Sequence, residues 1–211
     1  HGLRNNLFVA TMAGVTDLPF RLLNREFGCE LAFIEMINCR SLSYKSKKTQ
    51  EMLSTAPEDK PLGVQLLGVE PKFILKGLEL LNRREFDVLD FNAACPAKKV
   101  VTRGEGSALL KDPKLLHKLL KLVVENSKFP VTVKIRAGWD KNSINAGDAA
   151  LYAEDAGVAA IFIHGRTRNQ LYSGQVDYGI IRKVKDSVKV PVIGSGDVLS
   201  APLAKRMFDE T

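Results

Sequence analysis

Cys95 stands in Asp90-Phe91-Asn92-Ala93-Ala94-Cys95-Pro96-Ala97-Lys98-Lys99, a thiol set just after a short apolar run. Pro96 bars continued sheet pairing. Asn92 and Cys95 are therefore expected on the loop leaving the C-terminal end of a buried strand, where α/β barrels carry catalytic groups. Next comes Arg103-Gly104-Glu105-Gly106-Ser107-Ala108. Its two glycines let backbone approach a ligand or partner closely, while Arg103 and the lysines offer positive charge. A thiol, an amide and several cations thus share one short stretch. Cys29 and Cys39 lack such surroundings and read as small buried hydrophobes.

Other polar residues fall at the ends of further apolar runs. Met12 follows the first run, Gln65 is embedded in the third, Lys134 lies in the fifth, and His164 ends the sixth. A lysine within Val-Thr-Val-Lys-Ile-Arg is costly to bury unless it faces an anion, so Lys134 is expected to serve a ligand. Gln65 both donates and accepts, as the edge of a heterocycle requires. Gly194-Ser195-Gly196-Asp197 follows the seventh run and offers unobstructed backbone N–H groups at the place where barrels commonly bind phosphate. A lone histidine is ordinarily a satisfied core residue, but His164 stands beside these other positions and reads as a ligand contact. His117 has no companion at metal-ligand spacing and reads as structural, and no metal site is expected.

The elements that must position these groups are legible as periodicity. Seven short apolar runs, at 7–10, 31–36, 62–67, 88–91, 131–135, 159–163 and 190–193, alternate with segments of helical spacing. Continuous apolarity and β-branched residues imply parallel strands covered by helices, hence an α/β fold of TIM (β/α)8 type. Thr16 or Asp17 would cap the first helix, Pro19 would sit in its first turn and Gly28 would end it. Leucines at 115, 116, 119, 120 and 122 give a packing stripe to a helix over 114–128, and an alanine-rich helix is expected over 148–157. Such a barrel needs eight strands, and about seven βα units are present, so the eighth strand is expected to be missing.

One domain over 1–211 suits the length and the 45% hydrophobic content. The net charge of +7 favours an anionic partner, nucleic acid above all. The three cysteines are an odd count, widely spaced and without a Cys-x-x-Cys pair, which supports neither a disulfide framework nor a zinc ribbon and points to a reducing compartment. No run suits a membrane span, and the first seven residues lack a signal-peptide core, so the cytoplasm is the expected address. Arg40, Lys45, Lys47 and Lys48 around Tyr44 suit either a solvated helix start or phosphate contact with stacking.

These residues resemble the tRNA-dihydrouridine synthases, FMN-dependent enzymes on a TIM barrel. The likeness rests on residues 10–21, 63–68, 90–96, 103–110, 133–138, 164–167 and 194–197, in the family's order. It implies that Thr11, Met12 and Ala13 lie against the flavin and that Gln65 and Lys134 bind its ring. His164, Ser195, Gly196 and Asp197 would hold the cofactor and its phosphate. Cys95 would be the proton donor, Asn92 would lie beside flavin and uracil, and Arg166 would join the same pocket. Arg103, Lys98 and Lys99 would meet RNA, the two lysines because turned inward they would favour thiolate and spoil the acid. The implied reaction reduces uridines of tRNA to 5,6-dihydrouridine, with hydride to C6, a proton to C5 and NADPH as reductant. Thr11 replaces the family's usual proline and Ser195 its usual asparagine. The eighth strand, with its Gly-Arg phosphate contact, and the C-terminal helical domain that grips tRNA are expected to be absent. The alternatives are a non-catalytic RNA-binding fragment and a flavin oxidoreductase of free pyrimidines.

Overall fold

A computed structural model describes residues 5–211; the opening His1-Gly2 lies outside the described residues. The chain divides into two compact units, His1–Asp90 with Asn126–Pro130, and Phe91–Glu125 with Val131–Thr211.

The first unit contains β1 (Phe8–Val9), α1 (Leu18–Glu26), β2 (Leu31–Phe33), β3 (Ile37–Asn38), α2 (Cys39–Ser43), α3 (Lys47–Met52), β4 (Leu62–Leu67) and α4 (Pro71–Leu81). Asp17 resolves the cap of α1, its side chain accepting from the Phe20 N–H, with Pro19 in the first turn. Gly28, at φ +85°, follows the helix as expected. β1 pairs with β2 and β2 with β4, all parallel. The run at 31–36 does not stay one strand. It leaves the ladder after Phe33, and Glu35 turns its carboxylate to the Gly14 N–H. The chain then rejoins β4 farther along as β3, with Ile37 opposite Leu66. Gly63 permits this packing, because a Cβ there would lie 2.2 Å from the Phe33 ring. Arg21 is 1% exposed, and its guanidinium donates to Asp59 and to the carbonyls of Thr16 and Ser54, so its buried charge is matched.

β5 (Val88–Ala93) begins in the first unit and ends in the second. The second unit continues with α5 (Lys98–Val101), a 3-10 helix (Gly106–Lys111), α6 (Pro113–Asn126), β6 (Val131–Arg136), α7 (Ala146–Asp155), β7 (Ala160–His164), α8 (Tyr178–Ser187), β8 (Val192–Ser195) and α9 (Ala201–Glu210). β6, β7 and β8 are parallel and in chain order. Their period of two sorts the side chains. Val133, Ile135, Ile161 and Ile163, each fully buried, turn to the side of the helices. Gly194 belongs to that side too, since a Cβ there would lie 2.8 Å from the Met207 sulfur of α9. The other face carries Lys134 and Arg136, Phe162 and His164, and Ile193 and Ser195. α7 begins two residues earlier than its alanine pattern suggests, and Gly157 at φ +91° marks the chain's departure from it.

Parallel strands in chain order, alternating with helices, are the βα repeat of a TIM-type α/β barrel. All seven expected strands are present among the described residues, and β3 is an additional two-residue strand. No described helix is long and apolar enough to cross a membrane.

Candidate active site

Cys95 is half-buried and held from two sides. Asn92 lies inside β5 rather than on the loop after it, because the strand runs on to Ala93. Its side-chain oxygen accepts from the N–H groups of Ala94 at 3.0 Å and Cys95 at 2.8 Å, and this Asx turn ends the strand. On the other side, the N–H and hydroxyl of Ser107 donate to the Cys95 carbonyl at 3.1 and 2.9 Å. Gly106 sits at φ +60°, where a Cβ would come 2.7 Å from that same carbonyl oxygen. The glycine read as room for a ligand is thus room for the backbone of Cys95 itself. Arg103 pairs with Glu105 at 2.9 Å, while Lys98 and Lys99 are exposed on α5.

Arg136 completes this arrangement and was not singled out from the sequence. Its Nε donates to the Ala94 carbonyl at 2.9 Å, and its terminal nitrogen donates to the carbonyls of Thr167 and Leu171. Burial lowers its pKa, though a guanidinium stays charged. The signal was available, for Arg136 stands two residues beyond Lys134 and so shares its face of β6.

Arg136, His164 and Ser195 are register partners across three strands. Lys134 donates to the Ser195 hydroxyl at 3.2 Å, and that hydroxyl donates to the Ile163 carbonyl at 3.1 Å. His164 is pushed down to about 3, by burial first and then by the cations Arg136, Lys134 and Arg166, so its ring is neutral at ordinary pH. Its Nε2 is buried and has no hydrogen-bond partner. Gly196, at φ +114°, lies against the same ring, and a Cβ there would be 2.7 Å from Nε2. Arg166 grips Asp197 through two bonds of 2.7 and 2.6 Å and donates also to the carbonyls of Ser173 and Gly174. That bond holds the Asp197 carboxyl below the usual range. Arg166 therefore fixes the turn after β8.

These residues fit a phosphate-bearing heterocycle. Cations outnumber the one carboxylate, a neutral imidazole presents an unpartnered nitrogen, and a glycine turn leaves backbone accessible.

Gln65, in the first unit, is buried and donates to Asp90 at 2.7 Å. Asp90, two residues before Asn92, was likewise unread as a site residue. Thr11 donates to the Ile34 carbonyl at 3.4 Å, Met12 is 43% exposed, and Ala13 is exposed. Near Tyr44, Arg40 pairs with Glu70 and Lys47 lies 3.9 Å from Glu51, as on a solvated helix start. His117 pairs with Asp155 at 2.8 Å. Among the described residues no group of three His, Cys, Asp or Glu is arranged to hold a metal ion.

A sequence model of the dihydrouridine synthase (Dus) family matches residues 8–211. A probable tRNA-dihydrouridine synthase of Rickettsia conorii is 42% identical over 210 residues, 99% of this chain and 63% of that protein. tRNA-dihydrouridine synthase B of Pasteurella multocida is 38% identical and that of Pseudomonas aeruginosa 39%, each over 99% of this chain and 63% of its own length. The chain therefore spans under two thirds of these relatives. Among solved structures, FabK from Thermotoga maritima matches with a TM-score of 0.56 at 16% identity, covering 99% of this chain and 56% of that one. Nitroalkane oxidase from Streptomyces ansochromogenes matches with a TM-score of 0.55 at 12% identity, covering 99% and 63%. These structural likenesses concern the fold alone.

Proposed function

The chain belongs to the dihydrouridine synthase family, and from that premise we propose that it is the flavin-binding barrel portion of an enzyme that reduces uridines of tRNA to dihydrouridine in the cytoplasm. The observation that carries the reading is the conjunction, in one unit, of a thiol with fixed backbone and a cationic rung whose buried imidazole nitrogen lacks a partner.

Bound FMN would supply the hydride added to C6 of the uracil ring, with NADPH as its reductant. Addition at C6 drives negative charge toward C5 and the C4 carbonyl, and Cys95 donates the proton to C5. A thiol carries a transferable proton and so can serve as the general acid. The thiolate left behind is then reprotonated from solvent, while Arg136 holds the backbone next to it through the Ala94 carbonyl. Asn92 and Ser107 keep the Cys95 backbone in place through this cycle. Lys134 and neutral His164 would hold the flavin, with Ser195, Gly196 and Asp197 around its phosphate. Arg166 serves by fixing Asp197, and Arg103 by its bond to Glu105. Lys98 and Lys99, exposed next to Cys95, would meet RNA phosphate, and extruding the target base costs about a few kcal/mol.

The test is to load the 211-residue chain with FMN and assay NADPH-dependent dihydrouridine formation in unmodified tRNA. Cys95→Ala is expected to keep the flavin spectrum and lose roughly 10²–10⁴-fold in turnover. Undiminished turnover would remove Cys95 from the acid role. Turnover of free uracil in preference to tRNA would favour a pyrimidine oxidoreductase, and tRNA binding with no flavin uptake would favour an RNA-binding fragment.

A further inference from the structure

Trp139 is the chain's single tryptophan, on the loop after β6. Two cations lie over its ring, the Lys111 ammonium 3.6 Å from the centroid and the Arg168 guanidinium at 4.8 Å. Neither has a carboxylate within ion-pair distance among the described residues, in contrast to Arg40 and Lys47 of the other basic cluster. One Arg168 terminal nitrogen donates to Asn169 at 3.0 Å, whereas its Nε is buried without a partner. Two like charges held against one ring repel each other, and an anion beside them offsets that cost.

The backbone ties this cluster to Cys95. Arg168 and Asn169 donate their N–H groups to the carbonyls of Gly138 and Trp139, and the same 167–171 segment gives two carbonyls to Arg136. Lys111 ends the 3-10 helix that starts at Gly106 and Ser107, the residues pressed on Cys95. Six residues at about 2 Å each span roughly 12 Å. The cluster is built from the loops that follow strands, on the same side as the thiol.

We propose that Lys111 and Arg168, braced on Trp139, clamp a backbone phosphate of the tRNA a short way along the strand from the uridine at Cys95. The clamp carries no base selectivity. It fixes the register of the strand while the target base is extruded, with the indole setting the direction of both cations. The inference rests on tRNA being the substrate.

The test titrates unmodified tRNA into the full chain at several salt concentrations, following Trp139 emission and, independently, filter retention of labelled tRNA. Wild type is compared with Lys111→Gln, Arg168→Gln and the charge-conserving Arg168→Lys. Emission is expected to change with the Kd seen by retention. Each Gln variant should weaken binding roughly three- to tenfold and lower the log–log salt slope by about one, while Arg168→Lys keeps the slope. Retained tRNA with wild-type affinity and slope in both Gln variants would overturn the clamp. So would emission indifferent to saturating tRNA, or an equal loss in Arg168→Lys and Arg168→Gln. A wild-type chain that retains no tRNA by either method instead sinks the tRNA reading, and the clamp with it.

Discussion

His164 sits among Arg136, Lys134 and Arg166, and its ring cannot easily accept a proton there. The sign of the consequence is fixed. Its folded pKa of about 3 lies below the ordinary 6.5, so between those values the unfolded chain binds the extra proton. Stability present above pH 6.5 is lost as pH falls through that window. Urea midpoints measured from pH 7 down to about 5, above most carboxylate titrations, should fall in wild type and fall less steeply in His164→Gln. Parallel slopes would mean that His164 does not carry the effect. Single residues such as this one were legible because a polar group in or beside an apolar run is a local signal. Arg136 was missed for want of applying the same alternation one step past Lys134. The work of Arg166 was harder to read, since a guanidinium at the end of a strand looks alike whether it meets substrate or, as here, Asp197.

The 3-10 helix over Gly106–Lys111 shows how an element serves a distant atom. Its Ser107 fixes the Cys95 carbonyl from twelve positions away, and its last residue, Lys111, covers Trp139. Gly106→Ala must place a methyl 2.7 Å from the Cys95 oxygen at φ +60° and should cost about 1–3 kcal/mol in urea unfolding. Ser107→Ala removes one of two donors and should cost about 0.5–1.5 kcal/mol, with faster alkylation of Cys95 by iodoacetamide. If neither stability nor alkylation changes, the helix does not hold the thiol. The repeating elements themselves were readable from period and caps, as Asp17, Pro19 and Gly28 around α1 show. What escaped was contact between loops. Residues 95, 107 and 136 come together because the connection after β5 folds back beside the end of β6, and no spacing in the chain encodes that meeting.

At the scale of the whole molecule the leading feature is charge, +7 in all, and under the proposed tRNA reading its sum and its placement predict different behaviour. A summed charge raises encounter with any polyanion, whereas placed charge adds specific phosphate contacts. The two separate if charge is removed equally in different places. Lys98→Glu with Lys99→Glu, beside Cys95 on α5, lowers the net charge from +7 to +3, since each change removes two units. Lys183→Glu with Lys185→Glu, exposed on α8, lowers it by the same amount. Placement predicts a loss of roughly tenfold or more in tRNA affinity for the first pair, with a salt slope lower by about two, and less than about threefold for the second. Flavin uptake should be unchanged in both, which separates RNA contact from damage to the site. Equal losses in the two pairs would mean that net charge alone draws the RNA, and that the lysines next to Cys95 add no contact of their own.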